Sequence, residues 1–168
     1  MAQGTGILLN NEMDDFSAKE NTPNAFGLIG RKANSIEPGK RMLSSMTPTI
    51  VRKDGEALLV TGSPGGSTII TTTLQVILNV VEHGMSLEDA VGMPRFHHQW
   101  QPDRVVHERH AFAPDVLSVL QQMGHQNLFE VPRQFGRGIG DANSVMKTEN
   151  GQLGMADPRG AGTAVGVP

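Results

Sequence analysis

Ala57-Leu58-Leu59-Val60-Thr61-Gly62-Ser63-Pro64-Gly65-Gly66-Ser67-Thr68 runs from an apolar stretch through a glycine turn into a second segment. In that segment Ile69, Thr72, Thr73, Val76, Ile77 and Val80 recur at helical spacing. The reading is strand, tight turn, helix. Four consecutive apolar residues predict a strand buried on both faces. Just upstream, Asp54-Gly55 separates this strand from Thr49-Ile50-Val51-Arg52-Lys53, the signature of a hairpin whose turn needs positive φ.

Working outward, Gly84 is placed to stop the helix that starts near Thr68, and Ser86-Leu87-Glu88-Asp89 reads as a capped second helix ending near Pro94. Arg95 to Trp100 and Val105 to His107 are expected strands, and Pro114 to Met123 a third helix with Pro at its start. Gln126 to Val131, Ala142 to Thr148 and Gln152 to Ala156 are further strands, the last two joined by Glu149-Asn150-Gly151. Gly6 to Asn11 is read as a brief strand end, residues 12–40 as one long substrate or lid loop, and residues 160–168 as a frayed tail. The order fits an α+β fold over a single domain, 1–168, better than an alternating parallel sheet.

Composition narrows the function. Glycine accounts for 20 of the 168 residues, against a typical ~7%, while tyrosine is absent and tryptophan occurs once. Much of the chain therefore serves turns and close backbone approaches. Seventeen acidic against fourteen basic residues give a net charge of −3, which argues against nucleic-acid binding by a basic stripe. No apolar run is long enough to span a membrane. The opening Met1-Ala2-Gln3-Gly4-Thr5-Gly6 lacks the basic and apolar regions of a signal peptide, so the chain as written is expected in the cytosol. Without cysteine there is no disulfide, thiolate site or Cys nucleophile.

Four groups of residues offer chemistry. The Gly65-Gly66 turn can aim backbone N–H groups at an anionic oxygen beside a helix N-terminus, as in a phosphate cradle or an oxyanion hole. The lysine of a Walker loop is missing, so phosphate is disfavoured, and a turn without a ligand stays open. Glu12-Met13-Asp14-Asp15-Phe16 gathers three carboxylates, suited to an ammonium group or simply to a solvated loop. Ser44-Ser45, just before the first hairpin strand, can donate to a carboxylate or cap a turn. His97-His98 and His107-x-x-His110 lack a recognised metal pattern, and adjacent strand residues point to opposite faces, so no metal site is expected.

Leu8-Leu9-Asn10-Asn11-Glu12-Met13-Asp14-Asp15-Phe16, Pro38-Gly39-Lys40-Arg41 with Ser44-Ser45-Met46, Gly62-Ser63-Pro64-Gly65-Gly66, and Pro94-Arg95-Phe96-His97-His98-Gln99-Trp100 stand in the order found in one family. With Asp157-Pro158-Arg159 near the end, nearly the whole chain resembles the small, C-terminal subunit of the γ-glutamyltranspeptidases (glutathione hydrolases). The resemblance implies an N-terminal-nucleophile hydrolase fold, a four-layer αββα sandwich incomplete without the large subunit of the same precursor. It implies cleavage of the γ-glutamyl amide of glutathione and related compounds, with transfer of the acyl group to water, an amino acid or a peptide, and no cofactor.

Residue by residue, the resemblance makes Glu12 and Asp15 ligands of the substrate α-amino group. Ser44 and Ser45 become ligands of its α-carboxylate, aided by a large-subunit arginine, and Gly65 and Gly66 become the oxyanion hole. Phe26, in Asn24-Ala25-Phe26-Gly27-Leu28, falls where many bacterial members carry a lid aromatic; it lacks the hydroxyl some members have there. The family's nucleophilic threonine precedes the Asn-Asn-Glu-Met-Asp-Asp motif by more than the eleven residues present here before Glu12. The nucleophile is therefore expected to be absent from the chain, and the isolated chain inactive. Members are commonly periplasmic or secreted. The alternative reading is a non-catalytic γ-glutamyl-binding module or the remnant of a split gene.

Overall fold

A computed structural model describes residues 2–24, 26–131 and 138–166. The chain forms two units, Met1–Ser44 and Ser45–Pro168.

The larger unit begins with the hairpin. Strands β1 (Thr49–Lys53) and β2 (Glu56–Gly62) are antiparallel, and Asp54 and Gly55 both sit at positive φ, 53° and 85°. That pair of angles matches the right-handed twist of the flanking strands, which is why Asp-Gly serves here. β2 leads through the glycine turn into α1 (Thr68–Val81), whose buried face is Ile69, Thr72, Thr73 and Val76. α2 (Leu87–Gly92) is capped by Ser86, whose hydroxyl oxygen accepts the Asp89 N–H at 3.1 Å. Strands β6 (Asn143–Thr148) and β7 (Gly151–Met155) complete a four-stranded sheet of order β1-β2-β6-β7. Leu59, Val76, Leu87, Val91 and Ala142 are wholly buried where α1 and α2 pack on this sheet.

The opposite face differs from the sequence expectation. β2 is buried on one side only: Leu59 is enclosed, but Val60 is exposed. The register sets Ile50 beside Val60 and Val60 beside Val145, so three β-branched side chains form an exposed row across the sheet.

A smaller sheet joins β3 (Phe96–His97), β4 (Val105–His107) and β5 (Leu128–Glu130) in that order, with α3 (Pro114–Gln122) between β4 and β5. β3 pairs antiparallel with β4, and β4 pairs parallel with β5, the mixed pairing of an α+β chain. The strand expected from Arg95 to Trp100 shrinks to two residues. Trp100 turns to φ 68° and gives its N–H to His98 Nδ1, which ends the extended run. Arg95 leaves the strand for the interior.

Arg95 is 1% exposed and Asp157 2%. The Arg95 guanidinium meets Asp157 at 2.7 Å and donates to the carbonyls of Val91 (2.7 Å) and Ile139 (2.8 Å). Arg159 grips Glu108 at 2.6 Å and Asp157 at 3.0 Å, and donates to the Val91 and Met93 carbonyls. Burial alone would raise both carboxyls. At Glu108 the Arg159 guanidinium and the N–H groups of Ile139 and Arg95 outweigh it; at Asp157 the Arg159 N–H, the Arg95 charge and the Ala142 N–H do so. Both acids are held below the usual carboxylate range. Burial, with repulsion from Arg159, pulls Arg95 down against the attraction of Asp157, whereas Glu108 raises Arg159 despite burial.

In the smaller unit, residues 12–40 include short elements. Short 3₁₀ helices cover Glu12–Asp15 and Lys32–Asn34, and Ser17 bridges to Ser35. Asparagine side chains act as internal struts. Asn34 donates to the Asp15 carbonyl at 2.7 Å and accepts the Leu43 N–H at 2.8 Å. Asn24 accepts the N–H groups of Phe26 and Leu28 and donates to the Asp14 carbonyl. The strand expected at Gly6 to Asn11 does not form: Ile7, Leu8 and Leu9 are exposed, with no ladder partner among the described residues. Residues 160–166 carry no helix or strand. Ala25 of the lid stretch and positions 167–168 of the expected tail lie outside the described residues. Among the described residues no helix is long and apolar enough to cross a membrane.

The ion-pair quartet makes two predictions. A carboxyl whose pKa is depressed by folding adds stability above its unfolded value, about 4, and loses it as pH falls through the folded value. Urea unfolding midpoints of the chain are therefore expected to hold steady from neutral pH to about 4 and to drop below that. Asp157→Asn, which strands the buried Arg95 charge, should cost about 3–5 kcal/mol at pH 7; an unchanged midpoint would show the pair to be dispensable.

Candidate functional site

The glycine turn is the best-defined chemical feature. Gly65 has φ 138° and Gly66 φ 57°, backbone that L side chains rarely adopt. A Cβ on Gly65 would lie 2.5 Å from Thr68 Oγ1. The turn reverses the chain at the end of β2 and delivers it to the N-terminus of α1. The Gly65 carbonyl accepts the Thr68 N–H at 3.1 Å, and the Gly66 carbonyl the Ile69 N–H at 3.2 Å. The N–H groups of Gly65 and Gly66 meet no acceptor among the described residues. Unpartnered backbone donors beside the positive end of a helix dipole are chemistry suited to an anion.

The acidic segment lies in the smaller unit. Glu12 is half-buried, and its Oε2 is wholly enclosed without a hydrogen-bond partner among the described residues. A buried carboxylate oxygen left unpaired is expensive, so this position suits a cationic donor brought from outside. Asp15 lines a cavity of about 360 Å³ together with Asp14, Lys19, Asn24, Asn34 and Leu43. Phe26 is partly exposed, and its N–H rests on Asn24 Oδ1 at 3.0 Å. Ser44 is exposed and Ser45 half-buried. Glu12, Asp15, Phe26 and Ser44 thus belong to the first unit, and Ser45, Gly65 and Gly66 to the second.

The histidines have separate partners. The Gln99 amide nitrogen donates to the Gln101 carbonyl at 2.9 Å, which turns the Gln99 oxygen toward His97 Nε2 at 2.8 Å. On the other side of the ring, His97 Nδ1 lies 2.8 Å from the Thr71 hydroxyl on α1. His98 faces Asp103, and His107 Nδ1 faces the Glu108 carbonyl. Among the described residues no three or more His, Asp or Glu side chains gather as a metal site. The sequence reading missed the buried quartet of Arg95, Glu108, Asp157 and Arg159; the motifs that begin at Pro94-Arg95 and at Asp157-Pro158-Arg159 hold three of the four but gave no sign that they meet.

The model of the gamma-glutamyltranspeptidase family matches residues 1–167. The chain is 49% identical over 160 residues to the glutathione hydrolase proenzyme of Escherichia coli K12, covering 95% of this chain and 26% of that protein. It is 43% identical over 169 residues to the proenzyme of Pseudomonas aeruginosa, covering 99% and 29%. The chain thus spans less than a third of the length of the curated relatives it matches. A crystal structure of a substituted Helicobacter pylori gamma-glutamyltranspeptidase superposes with a TM-score of 0.83 at 47% identity, covering 95% of this chain and 85% of that one.

The turn geometry is open to a direct test. Gly65→Ala should lower stability by roughly 1–3 kcal/mol, the cost of forcing a side chain into such backbone. Gly92→Ala, at a helical position where an added Cβ meets nothing within 4 Å, serves as the control and should hold or raise the urea midpoint.

Proposed function

The chain belongs to the gamma-glutamyltranspeptidase family, and on that premise we propose that these 168 residues supply the donor pocket and oxyanion hole of a γ-glutamyl-transferring enzyme. The observation that carries the reading is the pair of unpartnered N–H groups at Gly65 and Gly66 beside the start of α1.

The substrate is a γ-glutamyl amide such as glutathione. Its α-ammonium is taken by Asp15 and by Glu12, whose enclosed Oε2 has no donor among the described residues. Its α-carboxylate is taken by the hydroxyls of Ser44 and Ser45 and by an arginine of the large subunit. A threonine hydroxyl from sequence outside these residues attacks the γ-carbonyl carbon, its proton passing to that threonine's own α-amine. The carbonyl oxygen becomes an oxyanion held by Gly65 and Gly66 N–H. Collapse breaks the C–N bond, and the amine leaves with the proton. Water or an amino group then attacks the ester, restoring the threonine and releasing glutamate or a new γ-glutamyl amide. Phe26 acts as a lid residue over the donor site.

The large subunit is the proposed partner, and the row Ile50, Val60 and Val145 is the apolar surface it covers. The chain spans 26% of one proenzyme but 85% of a solved chain, which supports a family chain that works as one piece of a larger assembly.

The isolated chain is expected to release no chromophore from a γ-glutamyl anilide, and turnover by it would sink the proposal. Assembled with a large subunit and the upstream threonine, it should turn over. In that assembly Asp15→Ala should raise KM by roughly 10–100-fold, the loss of one charge-assisted hydrogen bond. An inactive assembly whose chain still binds glutamate in calorimetry, with binding lost in Asp15→Ala, would favour the binding-module alternative. Light scattering of the chain alone should show self-association through its bare sheet face.

A further inference from the structure

Resting on the oxyanion role proposed above, we infer that the hydroxyls of Ser63 and Thr68 aim the two oxyanion N–H groups by holding the carbonyls of the same peptide planes. A peptide unit is flat, so its C=O and N–H point in opposite directions and turn together. The Gly65 N–H shares its plane with the Pro64 carbonyl, and the Gly66 N–H with the Gly65 carbonyl. Each of those two carbonyls receives a side-chain hydroxyl. Ser63 Oγ donates to the Pro64 oxygen at 2.7 Å, and Thr68 Oγ1 donates to the Gly65 oxygen at 2.8 Å.

The hydroxyls are themselves fixed. Ser63 Oγ accepts the Asp141 N–H at 2.8 Å, which leaves its proton for Pro64. Asp141 can reach Ser63 because Gly140, at φ 73°, lets the 139–141 segment pass close by. A Cβ on Gly140 would lie 2.7 Å from Ser63 Oγ and 2.4 Å from Thr72 Oγ1. Thr68 is fixed by its place in the first turn of α1, and its own N–H shares the Gly65 oxygen. A carbonyl that accepts a hydrogen bond polarises its peptide, so the N–H on the far side becomes a stronger donor.

Two consecutive glycines have the widest backbone freedom of any pair, whereas an oxyanion hole works only if its donors are aimed before the charge develops. The two hydroxyls reconcile these demands. Both are positioning residues that act through the peptide group and not through substrate.

The test uses the chain assembled with its large subunit, with rates expressed per assembled enzyme. Ser63→Ala and Thr68→Val should each lower kcat roughly tenfold, short of the larger loss seen when an oxyanion donor is removed outright. KM should stay within about twofold, since ground-state binding is untouched. Affinity for a γ-glutamyl boronic acid, which forms a tetrahedral adduct, should fall in parallel with kcat, and Ser63→Thr and Thr68→Ser should restore both. Unchanged kcat and boronate affinity in Ser63→Ala and Thr68→Val would overturn this inference alone, as would a lowered melting temperature with kcat intact. A wild-type assembly without turnover would overturn the parent reading and this one with it.

Discussion

The contact on which the larger unit depends is the buried pair Arg95–Asp157. Neither side chain reaches solvent, and their residues are far apart in sequence. Around them Arg159 and Glu108 add a second pair, and the hydrogen bonds of all four groups end on the backbone at Val91, Met93, Ile139 and Ala142. These points are the end of α2, the residue that follows it, the approach to Gly140 and the start of β6. Isolated buried charges are costly, and a pair repays that cost only when every donor and acceptor finds a partner. One buried atom, Arg95 Nε, has none among the described residues. The cluster is therefore better understood as fixing one arrangement of four chain segments than as a source of net stability.

That arrangement bears on chemistry through Ile139. Its carbonyl receives Arg95 and its N–H binds Glu108 at 2.8 Å, so the peptides on either side of it are held by opposite charges. The next two residues are those that close on Ser63. The path from a buried guanidinium to the glycine turn is short and made of ordinary hydrogen bonds.

Much of this was legible in the sequence. The hairpin, the three helices and most of the strands follow from local signals: Asp54-Gly55 for the turn, helical spacing from Ile69 to Val80, Ser86 for a cap and Pro114 for a helix start. What escaped was long-range or cooperative. Nothing local distinguishes Arg95 as a core residue, because its partners lie at positions 108, 157 and 159. The order in residues 12–40 rests on asparagine side chains bonding to backbone across the loop, such as Asn34 to Asp15 and Leu43, and composition alone reads those residues as loop formers. The exposure of Val60 escaped because burial of a strand's second face depends on what covers it, not on its own residues. At the site, the two glycines were evident, but the hydroxyls that orient them resemble common turn residues.

The β2–β6 seam has a consequence for biogenesis. Its buried Thr61–Ser144 hydroxyl contact, 2.8 Å long, joins residues 83 positions apart, whereas the hairpin β1–β2 can form as soon as it is made. During synthesis β2 must therefore wait, with one edge unpaired and apolar side chains on it, until β6 has left the ribosome. An open apolar edge is a template for pairing with another chain. The hazard falls in the interval of translation between the two strands, when α1, α2 and the small sheet are already being made. A nascent-chain chaperone would have its greatest effect there, and a premature stop between positions 62 and 143 would leave the most adhesive form of this protein.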